Sequence, residues 1–113
     1  MSGAILHALR SLNPADGGPV ELVRRLCAEH AAIGVATEVM TLDSADAPWL
    51  SGWPVPVLAL EGRGKYGWTP ELVRQLRRRA GDFSGVVVHG LWQWQGAGVR
   101  QALHGTATPY FLF

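Results

Sequence analysis

Five apolar runs separated by three amphipathic stretches constrain this chain more than any other feature of it. Ala4–Leu9 is short and apolar and predicts a strand. Ser11–Gly18 is dense in turn residues. Across Pro19–Ile33 the spacing is helical: Val20, Val23, Leu26, Cys27 and Ile33 cluster on one side, and Glu21, Arg25 and Glu29 stand four apart on the other. Pro19 suits a first helical turn, and Gly34 suits a stop. Val35–Leu42 is β-branched and partly alternating, which predicts a second strand. Pro54–Leu60 predicts a third, whose two prolines call for an edge position or a bulge. Thr69-Pro70-Glu71 starts a second helix, with Leu72, Val73, Leu76 and Ala80 as its apolar stripe. Val86–Val88 centres a fourth strand ending at His89-Gly90. Ala97–His104 predicts a third helix closed by Gly105, and Thr108–Phe113 a fifth strand.

The order β-α-β-β-α-β-α-β predicts an α/β fold: a Rossmann-like, three-layer αβα sandwich around a mainly parallel five-stranded sheet. At 113 residues there is room for a single domain, 1–113. A hydrophobic content of 48% and a charged content of 17% are those of an ordered chain, not a disordered one. A net charge of +1 argues against a dedicated nucleic-acid binder. One cysteine, Cys27, excludes an internal disulfide framework and fits a reducing, cytoplasmic location. No apolar run approaches the ~20 residues that cross a bilayer.

In a parallel sheet of this kind ligands bind beyond the carboxyl ends of the strands. That rule selects the loops 10–18, 43–53, 61–68 and 89–96, which hold all five tryptophans. In the first loop Asn13-Pro14-Ala15-Asp16-Gly17-Gly18 runs into a helix start. Two glycines there let a ligand approach the backbone, and free N–H groups favour phosphate; an ordinary tight turn is the other reading. Gly62-Arg63-Gly64-Lys65-Tyr66-Gly67 has the dinucleotide-binding spacing but follows the wrong strand, so it reads as a flexible loop. After the fourth strand, His89, Trp92, Gln93 and Trp94 offer an imidazole, an amide and two flat indoles suited to stacking on sugar faces. Core packing is the competing role for each tryptophan. Arg77-Arg78-Arg79, with Arg74, gives the second helix a basic face, either solvated or touching anionic headgroups peripherally. His7, His30 and His104 are scattered, and no spacing indicates a metal site.

Three motifs in order carry a resemblance. Ser11–Pro19 looks like a glycine-rich first loop and helix start, Val88-His89-Gly90-Leu91-Trp92 like a His-Gly-Leu-Trp segment, and Ala107-Thr108-Pro109-Tyr110-Phe111 like a Pro-Tyr strand. Together they resemble the N-terminal domain of GT-B fold glycosyltransferases of the family 4 (group 1) type, over essentially the whole chain. The resemblance implies transfer of a hexose from a nucleotide-diphosphate sugar to a saccharide or lipid-linked acceptor. It implies that Asn13, Gly17 and Gly18 lie near the donor diphosphate and acceptor hydroxyl, and that His89, Trp92, Gln93 and Trp94 bind acceptor. It implies no cofactor beyond the sugar nucleotide, and a C-terminal donor domain that could act in trans. The family histidine falls beyond Phe113, so no residue here is assigned the catalytic step, and the chain reads as an incomplete GT-B N-terminal domain, inactive alone. Two other readings stand beside it: a non-catalytic binding or assembly module of the same fold, and a dinucleotide-dependent reductase resting on Gly62–Gly67. The apolar ending Thr108–Phe113 predicts self-association as a homo-oligomer.

Overall fold

The computed structural model describes residues 3–90 and 93–113. Five strands, β1 (Ala4–Leu9), β2 (Thr37–Thr41), β3 (Val57–Ala59), β4 (Phe83–Val88) and β5 (Tyr110–Leu112), form one sheet in the order β3-β2-β1-β4-β5. Every pairing is parallel. Three helices, α1 (Gly18–Ala32), α2 (Pro70–Arg79) and α3 (Trp94–Leu103), complete the Rossmann-like α/β fold that the alternation predicts. Among the described residues no helix is long and apolar enough to cross a membrane.

Period-2 alternation sorts the side chains of each strand to opposite faces. Leu6, Ala8, Met40, Val86 and Val88 face α2 and α3 and join Leu72, Leu76, Val99, Ala102 and Leu103 in the larger core. Leu9 and Val39 face the other way and meet Val23 and Cys27 of α1. No α-helix links β2 to β3, only a 3-10 turn at Pro48–Leu50. The connecting loop lays Trp49, Leu50, Trp53 and Val55 over that face instead, with the Arg24 guanidinium 4.6 Å above the Trp53 ring. β3 takes the edge position, one of the two options expected, and begins at Val57, after both prolines; its neighbour β2 uses the carbonyl of Pro56 as an acceptor from Val39 N–H at 3.0 Å.

α2 starts where Thr69-Pro70-Glu71 predicts: Thr69 Oγ1 accepts from Glu71 N–H at 3.2 Å, and Pro70 takes the first turn. α3 begins three residues earlier than its sequence signal, at Trp94 rather than Ala97. Gly96 and Gly98 mask that start, since glycine is a poor helix former. Gly98 is inside because of packing. A Cβ there would stand 2.8 Å from the Leu72 side chain and 3.1 Å from the Trp94 ring, so its absence lets α3 close onto α2.

Candidate functional site

The order β3-β2-β1-β4-β5 reverses direction between β1 and β4, and the loops leaving the carboxyl ends of these two strands diverge to opposite faces. Such a switch point leaves a crevice. Here it is a cavity of about 210 Å³. Arg10 and Ser11 from the end of β1, Asp16 from the short turn before α1, Pro19 from the first turn of α1, and His89, Gln93 and Gln95 from the segment after β4 line it.

Two of those side chains are buried with a polar atom unused. His89 is 6% exposed and its Nδ1 has no partner; Gln95 is 2% exposed and its Oε1 has none. The other half of each is fixed. Gln95 Nε2 donates to the His89 carbonyl at 2.9 Å, and His89 Nε2 meets His7 Nδ1 at 3.0 Å. His7 projects from β1, the neighbouring strand, and is 3% exposed. Burial, with further contributions from His89 and His30, pulls the His7 pKa from 6.5 down to about 4. Burial also lowers that of His89. Both rings are therefore neutral at pH 7, one nitrogen donating and the other accepting. A neutral imidazole and an amide oxygen suit a hydroxyl group, which donates and accepts; the charged groups of this lining are Arg10 and Asp16.

The first loop is held rigidly beside the crevice. Asp43, just after β2, accepts from Leu12 N–H at 2.8 Å and from the hydroxyls of Thr41 and Ser11, each at 2.7 Å. Asn13 is spent on the backbone: its Oδ1 accepts from Ala15 N–H at 2.9 Å and caps the short turn Pro14–Asp16. Gly17 has φ 79° and ψ −129°, a conformation reserved for glycine, and caps α1 without a side-chain hydrogen bond. Gly17 and Gly18 line a separate depression with Pro14, Glu21 and Arg24, around the helix start from the cavity. The two expected subsites are thus neighbours that share only Val20.

The residues expected to bind acceptor divide. His89 and Gln93 line the cavity. With its amide nitrogen turned to donate, Gln93 reaches the carbonyls of Lys65 at 2.8 Å and Tyr66 at 3.2 Å, tying the loop after β3 to the crevice. Trp94 does not present a free face there. It is 9% exposed, packs in the larger core, and its indole N–H donates to Thr69 O at 2.7 Å. The first residue of α3 points across to α2, and the expected stacking role gives way to packing. Trp92 lies outside the described residues. Pro109 and Tyr110 sit at the amino end of β5, far from the ligand edge of the sheet, where Tyr110 pairs with Val86 and packs against the core.

Gly62–Gly67 is a hairpin, not a phosphate-binding turn. Arg63 and Trp68 exchange two backbone hydrogen bonds of 2.9 and 3.0 Å, and the Gly67 carbonyl occupies the space a Cβ on Gly62 would need. The residues that sequence reasoning passed over are His7, Asp43 and Gln95. Only the β1–β4 neighbour relation brings His7 to His89. Among the described residues no group of three or more His, Cys, Asp or Glu side chains is placed to hold a metal ion. No protein-family model, curated protein or solved structure matches this chain.

Proposed function

We propose that this chain is the acceptor-side, N-terminal portion of a GT-B type glycosyltransferase. In this reading the switch-point cavity holds one hydroxyl-bearing sugar ring of the acceptor. The free N–H groups at the start of α1, beside Gly17 and Gly18, face the diphosphate of a nucleotide sugar. The rest of the donor falls to a second domain, in cis or in trans. Transfer forms a bond between the acceptor oxygen and the anomeric carbon, breaks the bond from that carbon to the diphosphate, and releases the hydroxyl proton. This chain's part is to bind and orient the acceptor.

The observation that carries the reading is that His89 and Gln95, each with one buried polar atom unused (Nδ1 and Oε1), both line the cavity at the switch point. The cavity is smaller than the ~300–1,000 Å³ of drug-sized sites, which favours a single ring over an extended ligand. Titrating the protein with a panel of methyl hexosides, followed by amide and imidazole NMR shifts, tests it. Saturable shifts at His89, Gly90 and Gln95 that vanish in His89→Phe support the reading. Shifts elsewhere, or none at 50 mM sugar, refute it.

A second reading, an assembly module that works by pairing with another chain, is favoured by the exposed rings of Phe111 and Phe113 on β5 and beyond it. The reductase reading loses its support with the hairpin at Gly62–Gly67, whose glycines do not form a strand-to-helix turn.

A further inference from the structure

On the opposite side of the N-terminus of α3 from the cavity, a groove of about 550 Å³ runs along α2. Its floor is apolar, made by Trp68, Pro70, Val73 and Trp94, and Arg74, Arg77 and Arg78 stand along it. Trp68 is 50% exposed, and its ring lies 6.3 Å from that of the buried Trp94. We propose that this groove docks an acidic polypeptide segment bearing an apolar anchor residue.

Charge sets the partner's sign. On α2 the one acid is Glu71, and it already pairs with Arg74 at 2.9 Å. Arg79 is different from its neighbours: it is bound to Glu38 and Asp82 at the sheet edge and faces away from the groove. α3 contributes no acid, and Arg77 Nη2 donates to the Gln101 carbonyl at 3.1 Å, which holds its guanidinium between the two helices. A second depression lined by Arg77, Arg100 and His104 continues the positive track across α3. Among the described residues Arg74 pairs with Glu71, Arg77 meets one carbonyl, and Arg78 and Arg100 have no hydrogen-bond or ion-pair partner; guanidinium groups match carboxylates two hydrogen bonds at a time.

Shape sets the partner's class. The span from Pro70 to Arg78 is ~12 Å of helix, the length of about two turns of a partner helix or of four extended residues. The apolar floor carries one exposed indole, Trp68, and is flanked by arginines, so a projecting apolar side chain with acids beside it matches both. Exposed tryptophan ringed by arginine is the composition of a binding hot spot. The net charge of +1 is too small for a nucleic-acid surface.

Panning a random 12-residue peptide display library over the immobilised full chain gives the probe, and fluorescence anisotropy with the enriched synthetic peptides gives affinities. The expected result is enrichment of peptides with two or more acids flanking an aromatic or aliphatic residue. Their binding should weaken about tenfold in Arg77→Glu and in Arg78→Glu, both exposed, and also in Trp68→Ala. Circular dichroism of Arg77→Glu and Arg78→Glu separates lost docking from lost folding. Enrichment without an acidic pattern overturns the proposal. So does binding indifferent to the arginine changes, or binding to phosphatidylglycerol vesicles with no peptide enriched.

Discussion

The two faces of the sheet start from the same alternating strands and end differently. The α2/α3 face is closed except at the end of β5, where Leu112 is exposed: two helices cover it, and Leu72, Leu76, Val86, Val88 and Val99 are fully buried there. The other face is closed only over β1, β2 and β3, by α1 and the tryptophan-bearing loop. Over β4 and β5 it is open. Phe111, whose ring lies over Gly85, is 59% exposed, and Phe113, edge-on to His89, is 73% exposed. Among the described residues, buried polar atoms without a partner occur where the open part meets the closed part, at His7, His89 and Gln95, and also at His30, Trp49 and Trp53 on the α1 side. The closed face holds most of the buried apolar core, and the half-open face borders the candidate site.

The sharpest way to break that division is to truncate one residue on each side. Leu72→Ala removes a fully buried side chain from between α2 and α3, a space Gly98 already keeps tight. Unfolding in urea is expected to show a loss of about 3–4 kcal/mol. Phe113→Ala is expected to cost under ~0.5 kcal/mol, because an exposed ring buries little on folding. Equal losses would mean the two faces are not as different as their burial says.

Next in size is pH. The folded-state pKa of His7 lies near 4, below the ordinary 6.5, so the unfolded chain binds its proton first. Stability is therefore complete above about pH 7 and falls as pH drops from 6.5 towards 4, by about 3 kcal/mol over the window. His89, lowered in the same direction, adds to the effect. Urea midpoints at pH 7 and pH 5 check this. In His7→Gln, which cannot titrate, the difference between them should shrink; if it persists unchanged, the pair is not its source.

These cases show how much was legible beforehand. Hydrophobic period and the Thr69-Pro70-Glu71 start were enough for the element order and the parallel sheet, because both are local signals. Trp94 was misplaced because α3 starts three residues early. Each residue turns a helix by ~100°, so that error carries a side chain from the ligand edge to the core. His89 was visible as a strand-end residue, and His7 was not. Its partner is 82 residues away, and only strand order and register join them. Asp43 had no local signal, since two of its three donors, Ser11 and Leu12, come from the loop after β1 and only Thr41 from its own strand.

Asp43 offers a third, intermediate test of the boundary between the faces. Asp43→Ala leaves the Leu12 N–H and the Thr41 hydroxyl buried without their acceptor. A loss of about 2 kcal/mol is expected, with faster amide hydrogen exchange confined to residues 10–17. Exchange that speeds up evenly through the sheet would show that Asp43 holds the core and not the loop.

The smallest effect on stability should accompany the largest effect on association. β5 is an edge strand, so one side of its backbone is free to pair with another chain. The rings of Phe111 and Phe113 and the side chain of Leu112, 58% exposed, add an apolar surface beside that edge. Self-association through this segment is expected at high micromolar concentration. Phe111→Ser with Phe113→Ser should return the protein to a monomer in sedimentation velocity while moving the urea midpoint little, because neither ring is part of the closed core. A wild-type chain that sediments as a monomer throughout that range would remove the expectation. A double variant that stays associated would move the contact to some other surface. One that unfolds would show that the open half of the sheet depends on those rings after all.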